Sequence, residues 1–169
     1  SAIRLAALAA EAGIPDGVIN VVNGDGAVGA ALVDHPGINK IAFTGSTSVG
    51  REIGAKAGRD LKRVTLELGG KSPNIIFEDA DLKGAIGGSF QSIYFNTGQA
   101  CNAGSRLFVQ SDLYEEVTGQ LAEMAAGASV GAGLAKGTVF GPVVSQTQFE
   151  RVNDYIKSGI EEGAEVIAG

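Results

Sequence analysis

Short apolar stretches alternate with helix-favouring ones through the first half of this 169-residue chain, and that alternation leaves few folds open. Ser1 to Ala12 carries Ile3, Leu5, Leu8 and Ala9 in a helix-favouring background, with Gly13 as a C-terminal stop. Pro15-Asp16-Gly17 makes a turn. Val18 to Val22 then reads as a buried strand, and Asn23-Gly24-Asp25-Gly26 leads into a short Ala-rich helix ending near His35-Pro36. Ile38 to Phe43 is the next strand, followed by a glycine loop, a helix to about Ala57, and a third strand from Lys62 to Leu68. Strands and helices at this spacing build parallel βαβ units, which place ligands beyond the C-terminal ends of the strands.

After Pro73 the pattern restarts with a strand from Asn74 to Phe77 and a helix from Asp81 to about Phe95. A strand from Leu107 to Gln110 and a helix from Leu113 to about Ala126 follow. A Gly-rich link from Gly127 to Gly141 precedes a last helix from about Ser145 to Glu162, and a strand would begin at Val166. The domain change falls near Gly69 to Pro73.

Charge and composition exclude several classes of function. The net charge is −6 with cations scattered, whereas a nucleic-acid surface needs them clustered, so no nucleic acid is expected as partner. The apolar runs are too short for a membrane-spanning helix, so no membrane is expected either. One cysteine and one histidine make a transition-metal site improbable, and the metal expectation is none. A single unpaired cysteine also fits a reducing compartment, the cytoplasm. His35 lies in a loop before Pro36 and reads as an exposed loop histidine.

Three segments carry chemistry. Phe43-Thr44-Gly45-Ser46-Thr47-Ser48-Val49-Gly50 joins a strand to a helix; it is either an anion cradle at a helix N-terminus or a capped turn. Leu66-Glu67-Leu68-Gly69-Gly70-Lys71-Ser72-Pro73 puts a carboxylate at a strand end, free to serve as a base or to pair with Arg63 or Lys71. Phe95-Asn96-Thr97-Gly98-Gln99-Ala100-Cys101-Asn102-Ala103-Gly104-Ser105-Arg106 sets the lone Cys101 among small residues that leave a thiol accessible. By residue type alone Cys101 is either a small hydrophobe or a nucleophile.

In order and spacing these segments resemble the NAD(P)-dependent aldehyde dehydrogenase superfamily, along essentially the whole chain. The resemblance implies an α/β fold: part of a Rossmann-like parallel-sheet cofactor domain, residues 1–70, joined to part of an α/β catalytic domain, residues 71–169. It implies oxidation of an aldehyde to a carboxylic acid through a thiohemiacetal and a thioester on Cys101, with Glu67 as general base for the hydrolytic water. NAD or NADP is the implied cofactor, set against Gly45, Ser46, Thr47 and Gly50, with Leu68 and Gly69 near the nicotinamide ribose. Gln148 and Arg151 match positions near the adenine-side ribose, or form a solvated helix face. Asn102 either lines the aldehyde pocket or caps a turn. Phe140-Gly141-Pro142-Val143 reads as an ordinary Gly-Pro loop, because Thr138 stands where the family's later motif has Glu.

The family's other oxyanion donor, an Asn, and most of its adenosine contacts match no position here. Both ends of the chain read as cuts, so little activity and weak NAD binding are expected of these residues alone. Unpaired strand edges should make the isolated piece self-associate. A homo-oligomer, dimer or tetramer, is implied for the full-length protein. The readings from other classes are a truncated non-catalytic folding or assembly module and a nucleotide-binding module with an inert thiol.

Overall fold

The computed structural model describes all 169 residues, which divide into two compact units, Ser1–Leu68 and Gly69–Gly169. The first unit contains helices α1 (Ala2–Glu11) and α2 (Gly26–Asp34), strand β1 (Lys40–Gly45), helix α3 (Thr47–Arg59) and strand β2 (Arg63–Leu68). β1 and β2 run parallel, with Ile41 opposite Val64, Phe43 opposite Leu66 and Gly45 opposite Leu68. The helix between them makes this a βαβ unit, as the alternation of the sequence predicts.

α3 covers one face of the pair. Gly50, Ile53 and Ala57 recur at helical spacing and are buried, so a stripe of small residues faces the sheet. A Cβ on Gly50 would meet the Leu68 side chain at 2.4 Å, and one on Gly54 would touch Leu66 at 3.5 Å. Val64, Leu66 and Leu68 alternate with the exposed Arg63, Thr65 and Glu67. Glu67 therefore stands on the face of the sheet away from α3.

Lys62 ties α2 to the strand. Its ammonium donates to the carbonyls of Val33 (2.6 Å) and His35 (2.9 Å), groups left without helical partners at the C-terminus of α2. At the end of α3 the exposed Arg59 guanidinium donates to Asp60 at 3.0 Å, which holds that carboxyl below its ordinary range.

The strand expected over Val18 to Val22 does not form. These residues are exposed, Val18 and Val22 at 66 % each, and no strand pairs with them. Their composition favours a strand, but pairing is what makes one. The strand start expected at Val166 is likewise irregular.

The second unit contains strand β3 (Pro73–Ile76), helix α4 (Leu82–Tyr94), strand β4 (Arg106–Val109), helix α5 (Tyr114–Ala126) and helix α6 (Gln146–Glu161). β3 and β4 pair in parallel, Asn74 opposite Leu107 and Ile76 opposite Val109. Ile76, Ile86 and Val117 form the core, with Leu82, Leu107, Leu113 and Leu121 packed against it. Each of the three buried core side chains contributes about 1.5–3 kcal/mol of burial free energy. No helix is long and apolar enough to cross a membrane.

Candidate functional site

In the first unit the glycine loop brings most of the expected cofactor residues together. β1 ends at Gly45, and Ser46 caps α3: its hydroxyl accepts the Val49 N–H at 3.3 Å and lies 3.1 Å from the Ser48 hydroxyl. The cap is thus formed, and it does not exclude an anion, because a capped α3 still presents its positive end beyond the C-terminal edge of the sheet. The glycines leave room here for neighbouring side chains. A Cβ on Gly45 would stand 2.4 Å from the Phe43 ring, and Gly50 lies under Leu68. Register pairs Thr44 with Glu67 and Gly45 with Leu68, so the loop and the carboxylate strand meet at one sheet end. Glu67 is exposed and enters no ion pair, so neither Arg63 nor Lys71 holds it.

Beside the loop, α2, β1 and α3 enclose an apolar cleft of about 570 Å³. Gly26, Ala30 and Val33 from α2 face Val49 and Ile53 from α3 across it, with Phe43 from β1. Such a cleft fits a flat, weakly polar group, and the adjacent helix N-terminus fits an anion. Of the cleft's lining, Phe43 and Val49 belong to the glycine-loop segment, whereas its α2 wall carries no motif in the sequence. The spacing of Gly26, Gly29 and Ala30, small residues on one helical face, was the available signal.

In the second unit Cys101 lies in an exposed turn between α4 and β4. The turn is reached through unusual backbone. Asn96 (φ 51°), Thr97 (φ 58°) and Gly98 (φ 74°) are consecutively left-handed. Asn and Gly tolerate this, but for a β-branched residue such as Thr97 it is an outlier, and left-handed backbone costs about 1–2 kcal/mol per residue. Contacts from a distant segment hold it. Thr97 Oγ1 donates to the Gly141 carbonyl at 3.2 Å, and the Val144 N–H donates to Gln99 Oε1 at 2.8 Å. Phe140, next to Gly141, packs on Tyr94 and Phe90 of α4 with ring centroids 5.5 and 6.0 Å away. The Gly-Pro loop is therefore a support for the cysteine turn.

On the far side of Cys101 the chain is fixed again. Ala103 is buried, and the Gly104 N–H donates to the Ser92 carbonyl at 3.1 Å. A Cβ on Gly104 would meet Ser92 Oγ at 2.5 Å, and one on Gly70 would stand 3.2 Å from the Cys101 carbonyl oxygen. Asn74 donates to the buried Ser89 hydroxyl at 2.8 Å, fastening β3 to α4 beneath the turn. Asn102 is exposed and its side chain makes no hydrogen bond, so it does not cap the turn.

Gln148 and Arg151 lie in the first two turns of α6. The Gln148 N–H donates to Ser145 Oγ at 3.2 Å, whereas Arg151 is exposed and lines a shallow groove with Glu150, Asp154 and Tyr155. No three His, Cys, Asp or Glu side chains converge as a metal site would require.

The model of the aldehyde dehydrogenase family matches residues 1–169. Phenylacetaldehyde dehydrogenase of Pseudomonas fluorescens is 52% identical over 170 residues, 100% of this chain and 34% of that protein. Retinal dehydrogenase 2 of Homo sapiens is 50% identical over 171 residues, 100% of this chain and 33% of that protein. The solved NAD+ complex of aldehyde dehydrogenase from Bacillus cereus superposes with a TM-score of 0.97 at 54% identity, covering 99% of this chain and 34% of that one. The chain thus spans about a third of the length of the relatives it matches.

Proposed function

Since the chain belongs to the aldehyde dehydrogenase family, we propose that the protein carrying these residues oxidises an aldehyde to a carboxylic acid with NAD or NADP. Residues 1–70 supply the C-terminal part of its cofactor domain and residues 71–169 the N-terminal part of its catalytic domain. The observation that carries this reading is the exposed Cys101 on a turn fixed at both flanks, which presents a thiol without burying it.

The cofactor site rests on fit. The apolar cleft between α2 and α3 suits a purine, and the start of α3 at Ser46 suits a pyrophosphate. Gly45, Ser46, Thr47 and Gly50 lie along that loop, with Leu68 and Gly69 beyond it. The NAD+ complex of the Bacillus cereus relative favours NAD. Gln148 and Arg151 serve the adenine-side ribose.

Cys101 as thiolate attacks the aldehyde carbon, and the carbonyl π electrons move onto oxygen. The backbone N–H of Cys101 donates to that oxyanion. A nicotinamide held beside Leu68 and Gly69 would supply the hydride acceptor for this tetrahedral carbon, leaving the acyl group as a thioester on Cys101. Glu67 then takes a proton from water as the water attacks the thioester; the tetrahedral adduct expels the Cys101 thiolate, and the carboxylic acid departs. Gly69 and Gly70 directly follow the carboxylate strand, and glycine's backbone freedom suits a carboxylate that must reach water beside the thioester. Full-length subunits would act as a homo-oligomer.

Incubation with NAD+ and a panel of aldehydes, followed by rapid quench and mass spectrometry, tests the reading. An acyl adduct on the peptide containing Cys101 is expected. Turnover without any adduct at Cys101, or an inert thiol in the presence of turnover, would overturn it.

A further inference from the structure

Gln99 is half-buried two residues before Cys101, and its side-chain amide is engaged on both sides. Its oxygen accepts the Val144 N–H at 2.8 Å, and its nitrogen donates to the Asn96 carbonyl at 3.2 Å. The Gln99 N–H reaches the same carbonyl at 3.2 Å, while Asn96 Nδ2 returns a bond to the Gln99 carbonyl at 3.1 Å. Asn96 and Gln99 thus close a small ring of hydrogen bonds around Thr97 and Gly98. That ring encloses the left-handed residues.

We propose that Gln99 is a positioning residue for Cys101, locking the left-handed turn Asn96-Thr97-Gly98 and mooring it to Val144 so that the thiol is held in one direction. The inference rests on the reading of Cys101 as nucleophile. A left-handed Thr does not persist unless its surroundings over-determine it, and such residues concentrate where a reacting group must be aimed. The mooring point is itself fixed, because Phe140 is packed on α4. With Gly104 bound to Ser92 on the other flank, Cys101 and Asn102 span a short bridge between two anchored ends. Loss of Gln99 frees one end while the thiol stays exposed.

Two reactions of the same sulfur separate aim from access. Attack on an aldehyde requires the thiolate, the carbonyl carbon and the oxyanion donor in alignment, and misplacement by about 1 Å costs roughly 10²-fold. Alkylation by iodoacetamide accepts the thiol in any direction. Gln99→Leu in the whole protein should therefore lower the single-turnover rate of acylation at saturating aldehyde by ~10- to 100-fold, with iodoacetamide labelling of Cys101 within about threefold of the parent. Gln99→Glu, which keeps an oxygen for the Val144 N–H but loses the donor to the Asn96 carbonyl, should recover part of the loss.

Unchanged acylation in Gln99→Leu, or a joint fall of acylation and labelling, or no recovery in Gln99→Glu overturns the assignment. Should Gln99→Leu fail to fold, Thr97→Val removes the bond to Gly141 and keeps the branched side chain, and the same split is expected of it. Cys101→Ser separates the two readings: if it still oxidises aldehyde, the nucleophile reading falls. If it is inactive while Gln99→Leu acylates normally, the positioning role alone is wrong.

Discussion

The loop that opens α3 and the turn that carries Cys101 both lie at the end of a secondary element, yet their backbones differ. From Gly45 to Gly50 no residue has a positive φ, and the loop is closed by bonds between neighbours, Ser46 to Val49 and Ser46 to Ser48. From Asn96 to Gly98 every φ is positive, and the local ring between Asn96 and Gln99 is supplemented by bonds from residues 44 and 45 positions away. A cradle for a cofactor needs only helix geometry, which local sequence supplies. An aimed nucleophile needs a conformation that local sequence disfavours, so the rest of its unit must impose it.

Variants that touch chemistry should affect the two regions most. Cys101→Ala in the whole protein is expected to abolish both steady-state oxidation and the burst of reduced cofactor, read by stopped-flow absorbance. A surviving burst would transfer the nucleophile elsewhere. Glu67→Gln, on the sheet of the other unit, should lose roughly 10²–10⁴ in turnover while retaining acylation better than hydrolysis. Accumulation of acyl-enzyme by quenched mass spectrometry is the check, and normal turnover would assign the base to another group.

Packing variants sharpen the contrast in rigidity. Ile86 is 2 % exposed in the core of the second unit, and Ile86→Ala should cost about 2–5 kcal/mol in denaturant unfolding. Ile53 borders the open cleft of the first unit, where a deletion creates little new void; Ile53→Ala should fall near the lower end of that range, about 2 kcal/mol. Equal losses would show that the cleft is not a pre-existing void. The smallest effect belongs to Ser46→Ala, which removes the α3 cap and should cost about 0.5–2 kcal/mol by the same measurement.

The parallel βαβ arrangement was legible because apolar runs and glycine punctuation repeat at element spacing, and helix ends such as Asp34 and Ala126 fall where Pro36 and Gly127 announce them. Val18 to Val22 misled because its residues favour a strand while no neighbour pairs with it. At the candidate site, the accessible setting of Cys101 could be read from its small neighbours. The mooring of Gln99 could not, since nothing near position 99 points to Val144. The cleft wall was missed for a related reason: its residues are ordinary apolar side chains, and only the approach of α2 to α3 turns them into a surface.

The long reach of the Gln99 and Thr97 bonds has a consequence for synthesis. The ribosome adds about 5–20 residues per second, so roughly 2–9 s separate the emergence of the cysteine turn from that of the segment that moors it. During that interval the growing chain carries a thiol that is accessible but not aimed. The direction of the Cys101 thiol is therefore settled late, once the chain through Val144 has been made and its N–H can reach Gln99.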